Sequence, residues 1–146
     1  MDDGPILICY DGSEEARNAI AVAATLLVGR EAVVLNVGAP PMVAETYAAV
    51  GPGPAELDRI VFDEALARAE TGAELARKAG LRAEARADLE SPTWQGVVEI
   101  ADEIGAAAIV LGSRGLTGVH QLLGESVSRD VAQHAGRPVL VVPSRR

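Results

Sequence analysis

The chain has 146 residues, 49% of them hydrophobic and 3% aromatic, which suits one domain whose core is built from Ala, Val, Leu and Ile. A net charge of -8 repels nucleic acid and anionic lipid, so no nucleic-acid or membrane partner is expected, although local backbone donors can still hold a small anion. The lone Cys9 excludes an intrachain disulfide, no Cys/His spacing suggests zinc, and no stretch approaches the roughly 18 apolar residues of a membrane span, so a cytoplasmic protein is expected.

Apolar strands alternate with amphipathic helices along the chain. Ile6 to Tyr10 is a short, continuously apolar run, as expected of a strand buried on both faces. Gly12-Ser13 breaks it. Ser13 is a good N-cap, Glu14 and Glu15 suit the positive end of a helix, and Ala16, Ala19, Ile20, Ala23 and Leu27 share one face before Gly29. Ala32 to Val37 predicts a second buried strand. The Pro- and Gly-rich stretch 38–54 predicts a loop, as a connector or a lid. Pro54 then opens a helix with Leu57, Ile60, Val61, Ala65, Ala69, Ala76 and Ala79 turned inward, ending near Gly80.

The third strand has a different pattern. Leu81, Ala83, Ala85, Ala87 and Leu89 alternate with Arg82, Glu84, Arg86, Asp88 and Glu90, which predicts a half-exposed strand at a sheet edge. Ser91-Pro92 starts a helix burying Val97, Val98, Ala101 and Ile104, closed by Gly105. Ala106 to Leu111 predicts a fourth strand. Val127, Val131, Ala132 and Ala135 mark a last helix stopped by Gly136, and Pro138 to Val142 is the last strand. Strict β-α alternation with five strands and four helices predicts an α/β fold with a single doubly wound parallel sheet, in one domain spanning residues 1–146. Its ligand crevice lies outside the carboxyl ends of the strands. The last strand is apolar and carries no charge to guard an edge, so pairing with its copy in a homodimer, through Pro138 to Val142, is the simplest closure.

Two elements carry candidate chemistry. From Gly112 to Ser128 a strand ends in a glycine turn and a helix begins some residues later. Glycines let backbone N–H groups approach an anion, Ser126 and Ser128 sit near a helix start that favours phosphate, and Arg114 adds charge-assisted bonds. Ser126 serves equally well as a plain helix cap. Asp11, just past the first strand, can accept ribose hydroxyls or hold Mg²⁺; it can also be a turn aspartate. Cys9 reads as a core residue, Trp94 as partly buried packing, and His120 as a solvated loop residue.

The segments ILICYDGSEEARNAI, VVLNV, AAAIVLGSRGLTG and LLGESVSRDVAQHAGRPVLVVP, with their spacing, resemble the universal stress protein family over nearly the whole chain. Gly112 and Gly115 match the first two glycines of the Gly-x-x-Gly-x9-Gly-Ser/Thr motif of its ATP-binding branch, and Ser126 matches the final Ser/Thr. The resemblance implies a Rossmann-like sheet of order 3-2-1-4-5, a dimer paired through the last strand, and ATP with Mg²⁺ as the ligand. It implies Tyr10 among the nucleotide-binding residues, Asp11 at the ribose or metal and the Val37 backbone at adenine. Gly112, Arg114 and Gly115 would line ribose and phosphates, with Glu125, Ser126, Val127 and Ser128 at the phosphates.

Glu125 departs from the motif, standing where the last glycine belongs. A carboxylate there repels a triphosphate, so AMP, another adenosine ligand or no nucleotide remain alternatives to ATP. The main expectation is a nucleotide-binding stress or signalling dimer with at most slow hydrolysis, since no general base or Walker-type lysine stands out. The alternative is an interaction dimer of the same family that binds no nucleotide. A phosphoaccepting receiver lacks its lysine here, Pro143-Ser144 following the last strand, and a metabolic enzyme lacks room for a substrate domain.

Overall fold

A computed structural model describes residues 3–38, 53–89, 92–113 and 127–144. In chain order its elements are β1 (Ile6–Cys9), α1 (Glu14–Leu26), β2 (Glu31–Val37), α2 (Pro54–Lys78), β3 (Arg82–Asp88), α3 (Thr93–Ile104), β4 (Ala108–Gly112), α4 (Val127–His134) and β5 (Val139–Val142). The sheet is parallel throughout, in the order β3-β2-β1-β4-β5. Both the alternation and the expected strand order are found.

The sheet is covered on both faces. On one face Ile6, Ile8 and Tyr10 of the first strand segment, Val34 of β2 and Val110 of β4 pack against Ala16, Ala19, Ile20 and Ala23 of α1 and Ala73 and Ala76 of α2. On the other, Leu7, Cys9, Leu35, Ile109 and Leu111 meet Val97, Ile100 and Ala101 of α3 and Val131 of α4. This explains the unbroken apolar run of β1: Ile6, Leu7 and Ile8 are all fully buried, each worth roughly 1.5–3 kcal/mol of transfer free energy. The alanine-rich helices lie close to the strands. A Cβ at Gly72 of α2 would stand 2.7 Å from the Tyr10 ring and 2.8 Å from Val34.

The helix signals act where the residues put them. Ser13 caps α1, its Oγ accepting from the Ala16 N–H at 3.1 Å, and Gly105 closes α3 with a left-handed φ of 62°. β3 is an edge strand with exposed Arg82 and Glu84, while Ala83 and Ala87 are buried. β5 is the opposite edge, and Val141 is 37% exposed there.

Three residues expected to face inward do not. Ile60 is 46% exposed, and Ala79 and Ala132 are exposed as well. Ile60 falls on the flank of α2 away from the row Leu57, Ala65, Ala69, Ala73 and Ala76 that touches the sheet. Ala79 is already the C-cap of that helix, and α4 is short enough to bury its face with Val131 and Ala135.

Candidate functional site

In an all-parallel sheet with antiparallel return helices, every strand ends and every helix begins on the same edge. The carboxyl ends of β2, β1 and β4 are adjacent there, so Val37, Asp11 and Gly112, far apart in sequence, come to one rim. β1 gives way to a tight turn. The Asp11 Oδ1 accepts the Ser13 N–H at 2.9 Å, and Gly12 takes φ of 87°, a left-handed conformation that glycine adopts without strain. This turn aims the amino terminus of α1, with its positive dipole end, at the rim. Arg17 Nη1 donates back to the Gly12 carbonyl at 3.1 Å and holds the turn.

Beside it, Gly112 ends β4 directly under α1. A Cβ there would lie 3.2 Å from Cβ of Glu15, so glycine lets the first turn of α1 approach the strand. Ser113 N–H donates to the Val142 carbonyl at 2.9 Å, carrying the β4–β5 pairing to the rim. On the other side, β2 runs on past β1. Gly38 N–H donates to the Asp88 carbonyl at 2.7 Å, and a Cβ on Gly38 would meet Leu89 Cδ2 at 2.4 Å. Val127 and Ser128 begin α4 at this same rim, both partly buried. Next to α1, a polar cavity of about 130 Å³ is lined by Glu14, Glu15, Asn18 and Ser144.

Of the residues read from the sequence, Asp11, Val37, Gly112, Val127 and Ser128 stand on this rim. The Tyr10 ring does not reach it: the residue is 2% exposed and its ring packs against α2, which leaves only its backbone at the rim. Arg114, Gly115, Glu125, Ser126 and His120, and the loop 39–52, lie outside the described residues. Trp94 is packing, stacked on His134 with ring centroids 4.3 Å apart. Cys9 is fully enclosed. Burial, and then the charge of Asp11, push its thiol up to about 12, so it is a core residue and not a nucleophile.

Sequence reasoning missed Asn36. It is 3% exposed, its Nδ2 donates to the Tyr10 carbonyl at 2.7 Å, and its Oδ1 has no partner among the described residues. Within a run reading as a buried strand the only signal was one polar residue among valines and leucine. A larger cleft of about 500 Å³ lies at the opposite edge, between Arg77, Arg82, Glu31 and Glu84. Its cations are engaged: Arg77 Nε donates to the Ala83 carbonyl and Arg82 Nη2 to the Gly29 carbonyl. No group of three or more potential metal ligands is found among the described residues, and none of their helices is long and apolar enough to cross a membrane.

The model of the Universal stress protein family matches residues 4–143. A universal stress protein encoded in the QAH/OAS sulfhydrylase 3' region of Thermus aquaticus is 34% identical, over 94% of this chain and 96% of the relative. Universal stress protein YxiE of Bacillus subtilis (strain 168) is 30% identical over 94% and 97%. Among solved structures the hypothetical protein MJ0577 superposes with a TM-score of 0.77 at 24% identity, covering 100% of this chain and 99% of its own. The universal stress protein from Archaeoglobus fulgidus in complex with dAMP gives 0.63 at 24% identity, over 95% and 97%. Another universal stress protein, in complex with cAMP, gives 0.63 at 23% identity, over 96% of each chain.

Proposed function

The chain belongs to the universal stress protein family, and from that premise we propose that it binds an adenosine nucleotide, ATP with Mg²⁺, at the carboxyl rim of the sheet and acts as a homodimer in stress signalling. The observation that carries this reading is the convergence of Asp11, the end of β2 at Val37 and the Gly112 end of β4 on three adjacent strands, with the amino termini of α1 and α4 facing the same rim. The dAMP and cAMP held by two proteins of this fold support it.

The chemistry assigns each group a task. The Val37 N–H and C=O form a donor–acceptor pair for the edge of the base. Asp11 keeps one carboxylate oxygen on its own turn, and the second accepts ribose hydroxyls or reaches Mg²⁺. Gly112 and Gly115, with Arg114, line ribose and phosphate. Ser126, Val127 and Ser128 meet the phosphates beside the start of α4, where the helix dipole favours negative charge. A single carboxylate fits Mg²⁺ carried in by the phosphates, where the ion adds charge neutralisation. The assigned task is to hold the nucleotide, with hydrolysis slow at most.

The open edge of β5 supports the dimer. It is short, uncharged and exposed at Val141, and antiparallel pairing with a second copy satisfies its outward backbone groups. Glu125 favours a second reading, an interaction dimer of this family without nucleotide. Calorimetric titration of nucleotide-stripped protein with Mg-ATP separates the two. Micromolar binding is expected. Absence of heat and of any thermal shift in the wild type, with binding gained on Glu125→Gly, establishes the second reading instead.

A further inference from the structure

Resting on the nucleotide-site reading above and deepening it, we propose that Asn36 is a positioning residue that stops the β1–β2 ladder one rung early and so frees the Val37 peptide groups to meet the base. Cys9 pairs with Leu35, which sets Tyr10 opposite Asn36. In a parallel ladder successive residues of one strand bond alternately to the two neighbours. Leu35 faces β1, its carbonyl accepting from Tyr10 N–H at 2.9 Å, and Gly38 faces β3, its N–H donating to Asp88. Val37, between them in phase with Leu35, therefore turns its N–H and C=O toward β1. The next rung of that ladder runs from Val37 N–H to the Tyr10 carbonyl. At that place the Asn36 side chain donates to the Tyr10 carbonyl, at 2.7 Å.

The consequence is a strand end with an adjacent donor and acceptor turned toward the turn that carries Asp11. Such a pair from one residue complements a heterocycle edge with a ring-nitrogen acceptor beside an amino donor, as adenine has. The same bond fixes the Tyr10 carbonyl, one residue before Asp11, against β2, and so sets the distance between the two arms of the site. Stability alone does not call for this side chain. Asn36 is 3% exposed and buries an amide oxygen with no partner among the described residues, in a strand whose neighbours are apolar.

The test pairs a ligand-free readout with a ligand-bound one in Asn36→Leu, which keeps the branched shape and removes the donor, and in Asn36→Asp, whose carboxylate cannot donate to a carbonyl. Amide hydrogen exchange at Val37 without nucleotide is expected to slow in Asn36→Leu, because Val37 N–H takes over the vacated Tyr10 carbonyl. ATP affinity is expected to fall roughly tenfold in both variants, with no loss of thermal stability in Asn36→Leu. Unchanged Val37 exchange, or ATP affinity within about twofold of wild type in both variants, overturns the proposal. A melting temperature that drops while affinity holds shows a purely structural amide and overturns it too. If the wild type binds no nucleotide, the site reading fails by itself, and the exchange at Val37 still decides whether Asn36 stops the ladder. Should Asn36→Leu not fold, Asn36→Asp carries both measurements.

Discussion

The two ends of the sheet solve opposite electrostatic problems. At the amino end the helices terminate, leaving carbonyls and the negative ends of their dipoles, and arginines fill that edge. Arg30 donates to the Gly4 carbonyl at 2.9 Å, Arg77 to Ala83 at 2.9 Å, and Arg137 to both Ala101 at 2.7 Å and Ala106 at 2.8 Å. At the carboxyl end the helices begin, leaving N–H groups and positive dipole ends, and the first turn of α1 carries Glu14 and Glu15. At the amino end arginines of the chain itself bond those carbonyls, whereas at the carboxyl end the helix starts set a positive dipole end beside the strand ends. The proposed nucleotide site of a protein with a net charge of -8 relies on that backbone field and not on side-chain charge.

This contrast is broken most directly at Arg137. Its guanidinium bonds the Ala101 and Ala106 carbonyls, its Nε the Ala135 carbonyl at 3.1 Å, and it pairs with Asp102. Arg137→Met leaves these carbonyls without their charged donor and is expected to cost about 3 kcal/mol in urea denaturation, with nucleotide affinity unchanged in the folded fraction. Gly4 is the next largest. A Cβ there would stand 1.9 Å from the Gly105 carbonyl oxygen, so Gly4→Ala forces the β1 entry away from the end of α3. The expected loss is about 2 kcal/mol, again without effect on affinity.

At the other end the effects on stability and on binding reverse. Asp11→Asn keeps an acceptor for Ser13 N–H, so the melting temperature stays close to wild type. It removes the charge that the proposed site sets at ribose or Mg²⁺, and Mg-ATP affinity is expected to fall roughly tenfold, about 1.4 kcal/mol, by calorimetry. An effect that appears only at alkaline pH sits beneath the rim at Cys9. Its thiol is raised from the ordinary 9.0 to about 12 in the folded chain. Between these values the unfolded chain has lost a proton that the folded chain keeps, so stability falls as pH rises through this window and is untouched below it. The stability difference between wild type and Cys9→Ala should therefore shift against wild type between pH 8 and pH 11. At pH 8 a thiol reagent should label Cys9 only after unfolding.

What was legible in the sequence was what local chemistry decides. Ser13 caps a helix because its Oγ reaches an N–H three residues on, and Gly105 ends one because it takes a left-handed φ. The alternation of Ala83 to Asp88 announced an edge because one side of β3 meets water and the other α2. Ile60 and Ala132 misled because periodicity marks an apolar residue without saying whether a layer covers it. Arg137 and Asn36 were silent for a further reason: their partners lie 31, 36 and 26 residues away in sequence, and only the sheet brings them together. On the rim itself, Asp11 and Gly112 were legible as residues that follow strands, while the stop of the β1–β2 ladder depends on a register that no single segment contains.

On the proposed function the carboxyl rim, and not the arginine-lined amino edge, takes the nucleotide. Amide chemical-shift mapping of the ¹⁵N-labelled protein during titration with Mg-ATP tests it most directly. The account predicts shifts at Gly12, Val37, Gly38, Ser113, Val127 and Ser128, with Gly4, Arg30, Arg82 and Ala107 still. Shifts centred on Arg30 and Arg82, or a saturating titration that leaves Gly12 and Val37 unmoved, would contradict it.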